Sequence, residues 1–563
     1  MAPFADRMRE WAMVTPKNDD PKMITGYCEP WSLRSGESIV LRASSHKPGP
    51  AELSLVRLHC GDPTSYGPGY DEEAVETSLP ARVDLAEQPL VPGSSATVDL
   101  SGLTASGEVQ LRFAVMITRP KEPQTLVWLT TTQGRVAVVL DGGVLFADLD
   151  GERSVLRAEP LANRRWYHVD LSVDLSGGRI TATVSTEASA SPGRDVVEPI
   201  PKPVVFGVPG GNWAFVELVL GGTPDGGDFD GRLGEVSLRA DGLTLVWDFS
   251  QQMETRRLVE TSGNDYHGVL QQLPTRGVTG PSWDSSHQRW VDDPGQWNAA
   301  HFHKDDLYDA GWDATATFDL PTDLPSGIYA FKIESEHGED RVPFFVRPAV
   351  DAPTADVAML MSSATYLAYA NHRMLFDGAD FIAQKAKLRP EHEYVRAHPE
   401  LGRSMYEKHP DGSGVMFSSR LRPVLNLRPG ADGWNFTPDT DINAFLQHLD
   451  IGHDILGDED VHAEGFDALE PYRVIVTCSH PEYWSTAMLD ALEAWQRKGG
   501  RLIYLGGNGF YWRVAFSDDW PGAMELRRAE DGVRNWQPGN GENYHAFTGE
   551  YGGMWRRNNR APN

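Results

Sequence analysis

Three groups of residues in the C-terminal part of the chain have the types needed to hold a metal or move a proton. They are Tyr366, Tyr369, Asn371 and His372; Met405, Tyr406 and Glu407; and His480 and Glu482 with, one strand later, Asn508. An ionised phenol or carboxylate is an anionic oxygen donor. Tyrosine and glutamate in one pocket therefore point to a hard trivalent cation, and Fe(III) is the biological metal that most often takes tyrosinate. Zinc fits poorly, because the sequence has no H-E-x-x-H and no paired C-x-x-C. His301 and His303 have no partner in view and read as ordinary surface histidines. Cys478, close to His480, offers a different chemistry, a thiol nucleophile, although the loop lacks the G-x-C-x-G elbow. Gly506, Gly507, Asn508 and Gly509 match neither G-x-G-x-x-G nor the P-loop and read as a tight turn.

The elements that must position these groups are legible around them. Tyr472 to Cys478 is a short run rich in β-branched residues, and Ser485 is a cap for a helix in which Met488, Leu492 and Trp495 recur at i, i+4, i+7. Gly499 and Gly500 end that helix, and the apolar run Arg501 to Leu505 follows at once. This is a βαβ unit, so its strands should be parallel neighbours with both polar loops at their carboxyl ends, the edge where open α/β sheets bind ligands. Asp356 to Met361 reads as another strand and Asp441 to Leu449 as a helix. The segment 349–563 thus reads as an α/β domain with a partly parallel sheet, which resembles glutamine-amidotransferase-like folds.

Before it the texture is all-β. Residues 92–290 carry short runs such as Val109 to Val115, Arg135 to Leu140, Val144 to Leu149, Trp166 to Val173 and Arg179 to Val184, with Asp141-Gly142-Gly143 as a hairpin signal. Such punctuation predicts a two-sheet sandwich, and its order of elements resembles the laminin-G or concanavalin-like family. Asp225, Asp228 and Asp230 are candidate calcium ligands there, with turn carboxylates as the simpler reading. The flanking segments 1–91 and 291–348 share a strand texture of their own and are expected to form one split β-sandwich that the other interrupts.

With 563 residues the chain exceeds one growing core, and a formal net charge of -29 argues against nucleic acid or an anionic membrane as a partner. Three scattered cysteines, Cys28, Cys60 and Cys478, fit a reducing compartment. Charges interrupt the N-terminus where a secretory apolar core would lie, and no run approaches about 20 apolar residues, so a cytoplasmic protein is expected.

Four stretches carry a resemblance: Ser362 to Asn371 (SSATYLAYAN), Ser479 to Ser485 (SHPEYWS), Gly506 to Trp512 (GGNGFYW) and Tyr544 to Arg556 (YHAFTGEYGGMWR). They resemble the large, catalytic subunit family of N,N-dimethylformamidases, over nearly the whole chain. The resemblance implies hydrolysis of N,N-dimethylformamide to formate and dimethylamine at one iron, Fe(III), which acts as a Lewis acid on the amide carbonyl and a bound water. It implies Tyr366, Tyr406 and Glu482 as metal ligands, with Tyr369 competing for the place of Tyr366, and His480 and Asn508 as catalytic neighbours. Tyr483, Trp484, Phe510 and Tyr511 are expected to wall a small apolar pocket. A separate small subunit, in a heterotetramer, and a continuation beyond Asn563 are also implied. The rival readings are a carbohydrate-binding or adhesion protein working through the laminin-G-like sandwich, and a metal-free cysteine hydrolase using Cys478.

Overall fold

The computed structural model describes residues 21–64, 67–186, 202–350, 352–374, 388–431, 433–532 and 535–560. The charged N-terminal stretch 1–20 lies outside them. The molecule is rich in sheet, with few helices, and is built in several β-sandwich-like layers plus one α/β layer.

Strands from the two ends of the first 350 residues pair with each other. Ala316–Asp319 pairs with Ser38–Ser45, and Gly327–Ser335 lies antiparallel to Gly49–Cys60. Their inward positions, among them Ile39, Leu41, Leu53, Leu55, Phe331 and Phe344, share one core. Between these segments a ribbon of strands folds over a second core containing Val98, Leu111, Val138, Leu171, Leu238 and Trp247. The Gly134–Asp141 and Val144–Leu149 strands form the hairpin that Asp141-Gly142-Gly143 predicts, closing on an Asp141 to Val144 pair. Gly142 and Gly143 both have positive φ, +57° and +87°, the values that turn needs and that side chains resist.

The α/β part has four parallel strands in the order Asp454–Gly457, Val357–Met361, Val474–Thr477, Arg501–Ile503. The βαβ unit read from sequence is present: Ser485 Oγ accepts the Met488 N–H at the start of the helix Thr486–Arg497, and Met488, Leu492 and Trp495 are buried. The helix expected from Asp441 begins earlier, at Phe436. Pro438 falls in its first turn, where a missing N–H costs nothing, so the proline marks a start and not a break. A small second sheet, Phe417–Ser419, Ala523–Leu526, Trp512–Phe516 and Tyr483–Trp484, packs beside the parallel one. No helix among the described residues is long and apolar enough to cross a membrane.

Candidate active site

Two loops leave the carboxyl ends of the central strands and meet. After Val357–Met361 the helix Ser363–Ala368 begins, with all six residues buried and Tyr369 at its C-cap. After Val474–Thr477 the chain runs through His480 to Glu482 before entering the short Tyr483–Trp484 strand. Thr365 ties the two together: its hydroxyl donates to the His480 carbonyl at 2.7 Å and accepts the Glu482 N–H at 3.2 Å. The N–H groups of Tyr511 and Trp512 close on the Glu482 carbonyl at 3.0 and 2.9 Å. Glu482 therefore sits on a backbone fixed from two sides.

Its carboxylate is 2% exposed and receives two phenols. Tyr369 Oη donates to Glu482 Oε2 at 3.1 Å and Tyr406 Oη donates to Oε1 at 3.2 Å, while Tyr483 Oη donates to Tyr406 Oη at 2.6 Å. The Tyr369 and Tyr406 rings stack 4.2 Å apart, 27° from parallel. Burial pushes the Glu482 carboxyl up to about 7, and burial followed by the nearby Glu482 charge pushes Tyr406 up to about 12. Tyr369 moves further in the same direction for the same two reasons. Three acidic oxygens crowded into a dry site hold their protons unless a cation compensates the charge that ionisation would leave there. The donor set fits a hard trivalent cation, since two phenolates and a carboxylate carry three negative charges.

One cation is already beside them. Arg528 is buried, with its guanidinium carbon 4.6 Å from the Tyr406 ring centroid, 4.7 Å from that of Trp512 and 5.5 Å from that of Trp536. Its Nη2 donates to the Met405 carbonyl at 3.1 Å, so it holds the backbone next to Tyr406 as well as facing the ring. Were the trio to hold such a cation, replacing Arg528 by methionine would weaken its retention by roughly 10- to 100-fold, the usual effect of removing a group that supports a ligand. Arg528→Lys, which keeps the charge but not the planar stack, should recover only part of it; metal titration followed by absorbance reads both.

The sequence-derived residues separate into those brought together and those not. Tyr369, Tyr406 and Glu482 converge. Tyr366 does not join them: its hydroxyl donates to Asp439 Oδ2 at 2.5 Å, deep in the core, and Asp439 also accepts the Ser479 N–H at 2.7 Å. Three residues of helix followed by a cap send the two tyrosines to different partners. His480 presents an Nδ1 that makes no hydrogen bond, and its ring lies 4.5 Å from Trp434, whose ring is in turn 6.1 Å from Tyr369. Burial lowers the His480 imidazole below its ordinary range, so it is neutral near pH 7 and able to accept a proton. Asn508 is exposed, with φ at +40°, in the loop whose Gly507 packs against the His480 ring. No hydrogen bond joins it to Tyr369, Tyr406 or Glu482.

The expected aromatic wall is only partly there. Tyr483 faces the site, but in a strand the next side chain points the other way, and Trp484 packs against Phe510 at 4.5 Å in a separate core with Met488 and Trp495. Tyr511 turns its ring onto Trp512. Trp434 supplies the wall instead. Cys478 is fully buried with its thiol 3.7 Å from Met361 Sδ, and burial pushes it far above the ordinary thiol range, which leaves an inert residue and not a nucleophile. Asp228 pairs with Lys304 Nζ at 2.7 Å and Asp230 with Arg119 at 3.3 Å, so these carboxylates serve cations of the chain itself. Asp225 sits in a turn, its N–H on Thr223 Oγ1. His301 and His303 are not on the surface: they are 2% and 1% exposed and face Asp411 and His409.

Thr365, Trp434 and Arg528 are the site residues that sequence reasoning missed. Thr365 lies inside the quoted SSATYLAYAN stretch, and nothing in its type distinguishes a hydroxyl that braces a loop. Substituting Thr365 by valine should cost about 0.5–1.5 kcal/mol of stability, because the His480 carbonyl and the Glu482 N–H lose the hydroxyl that braces them while keeping each other at 2.9 Å. Thr365→Ser should restore most of it, and thermal denaturation of the three proteins checks the order.

Comparison with known proteins gives a consistent picture. The family model described as N,N-dimethylformamidase beta subunit-like, C-terminal, matches residues 275–563. The N,N-dimethylformamidase beta subunit of Paracoccus aminophilus is 32% identical over 598 residues, spanning 96% of this chain and 78% of that one. That of an Alcaligenes species is 30% identical over 597 residues with the same coverage. Likeness to solved structures is slight: a pentraxin from Limulus polyphemus overlaps 28% of this chain and 79% of its own at 12% identity, with a TM-score of 0.21, too low to assign the sandwich.

Proposed function

Because this chain belongs to the N,N-dimethylformamidase beta subunit-like family, we propose that it hydrolyses N,N-dimethylformamide, or a related small N-substituted formamide, to formate and a dialkylamine. The observation that carries the reading is the buried convergence of Tyr369, Tyr406 and Glu482 at the carboxyl edge of a parallel sheet. These three residues would hold one Fe(III), which, when bound, supplies Lewis acidity toward the amide carbonyl oxygen and toward a water.

The chain's own groups account for the rest. Glu482 and the two phenols set the charge of the centre, and Arg528 favours the ionised form of Tyr406 by placing a fixed positive charge against its ring. Neutral His480, with its free Nδ1, takes the proton from the attacking water and returns one to the leaving amine nitrogen, which departs as the neutral amine. Asn508 offers an amide N–H near the same loop for the developing oxyanion. Trp434 and Tyr483 give the N-methyl groups an apolar surface. Each of the two polar groups is worth about 10²-fold in rate or more.

The reading extends to a small partner subunit in a heterotetramer, to a cytoplasmic setting, and to laminin-G-like and glutamine-amidotransferase-like architectures for the inserted and C-terminal parts. Elemental analysis with a visible spectrum tests it. About one iron per chain with a tyrosinate-to-Fe(III) charge-transfer band, and formate release that a chelator abolishes and added iron restores, are the expected results. Formate release that survives complete removal of iron would sink the reading.

A further inference from the structure

Away from that centre, the densest group of metal-ligating side chains among the described residues lies where the loop carrying Tyr406 meets the inserted sandwich. We propose that His301, His303 and Asp411 bind a divalent transition cation of the zinc class, which staples this loop to the end of the strand Ala299–Phe302. The proposal does not depend on the iron reading.

The placement follows from local structure. His301 lies in the strand and His303 two residues on, so both point to the same side. Asp411 sits in a tight turn closed by His409 N–H on the Ser413 carbonyl at 2.9 Å, with Gly412 at φ +88°. The Asp411 side chain is fully buried. The donor atoms of His301, His303 and Asp411 all lie within 4.8 Å of one another. Asp411 Oδ2 is 3.0 Å from His301 Nε2 and 3.9 Å from His303 Nε2. Those separations bracket the edge of about 3.3–3.5 Å that a tetrahedral zinc with bonds near 2.1 Å requires. Ser413 Oγ, 2.9 Å from His303 Nε2, is a fourth donor within reach.

Ring orientation selects this set over its neighbour. His303, Asp306 and His409 also lie close together, but the His303 and His409 rings stack at 3.7 Å and 6°. Their in-plane lone pairs run in parallel planes, and no single ion lies in both. His301 and His303 are tilted by 36°, so their planes intersect. The supporting contacts suit ligands. Asp411 Oδ1 accepts the Ser413 N–H at 2.8 Å, and His303 Nδ1, which makes no hydrogen bond, is 3.4 Å from Asp306 Oδ2. Asp411 Oδ2 accepts the His301 Nε2 proton at 3.0 Å, so a cation that takes this nitrogen displaces that proton and keeps the carboxylate as a second ligand.

The test uses the full chain with zinc and iron measured together, followed by Co²⁺ titration after chelation. Titrating the Glu482→Gln protein keeps cobalt out of the iron centre. About one zinc-class ion per chain beyond iron is expected, as is a tetrahedral Co²⁺ absorption band that Glu482→Gln retains. His301→Gln and Asp411→Asn should each weaken Co²⁺ binding by at least about 10-fold while leaving iron in place. If Asp411→Asn fails to fold, His301→Gln and the Co²⁺ titration of Glu482→Gln still decide. Absence of a saturable tetrahedral band in the chelated Glu482→Gln protein, or equal Co²⁺ affinity in His301→Gln, overturns the proposal and leaves two histidine–aspartate hydrogen-bonded pairs, His301 with Asp411 and His409 with Asp305.

Discussion

Glu482→Gln is expected to purify as a folded protein without iron, and to release formate from N,N-dimethylformamide at least about 10³-fold more slowly than the parent. The size follows from what the carboxylate does. It is the acceptor of both converging phenols, at 3.1 and 3.2 Å, and an amide in its place offers one neutral oxygen and a donor where two anionic oxygens stood. Losing Lewis-acid stabilisation of several kcal/mol corresponds to about 10³-fold in rate. The fold should survive, because the Glu482 backbone is held by Thr365, Tyr511 and Trp512 and not by its side chain. Metal analysis, circular dichroism and a formate assay on one preparation separate the outcomes. A variant that keeps iron and more than a tenth of the activity would remove Glu482 from the centre.

The second large effect concerns two tyrosines three residues apart. Tyr369→Phe should lose the tyrosinate charge-transfer band in large part and most of the activity, with stability little changed, because the stacked ring remains. Tyr366→Phe should do the reverse. It keeps the band and the iron but loses about 1–3 kcal/mol of stability, since Asp439 is buried and is left without the phenol it accepts from. Asp439 is pushed up to about 6 by burial, which the phenol, with Ser479, partly counters. Removing the phenol therefore favours the protonated acid and softens the core rather than the metal centre. If Tyr366→Phe were the variant that bleached, the sequence resemblance would outweigh the geometry, and the Ser363–Ala368 helix would have to rearrange when metal binds.

The sequence by itself determined the local elements that put chemistry at one edge. The βαβ unit around Thr486–Arg497 was legible because a capping serine, an apolar 3.6 period and a glycine pair agree, and all three act within a dozen residues. The hairpin at Asp141-Gly142-Gly143 was legible because positive φ is a property of residue type. The candidacy of Glu482 and Tyr406 came from the resemblance that short motifs carry. The tertiary structure decided what depends on the direction in which a side chain leaves its backbone. It set Tyr369, and not Tyr366, against Glu482, because a helix end rotates neighbouring side chains apart by amounts a motif does not encode. It sent Trp484 away from the site while Tyr483 faced it, the consequence of a two-residue strand that spacing alone does not reveal. It brought Arg528 from beyond the Ala523–Leu526 strand onto Tyr406, and Asp411 onto His301 across 110 positions. Those meetings depend on how sheets stack and loops return, and a partner so distant in sequence leaves no periodic or local mark on the residue it will pair with.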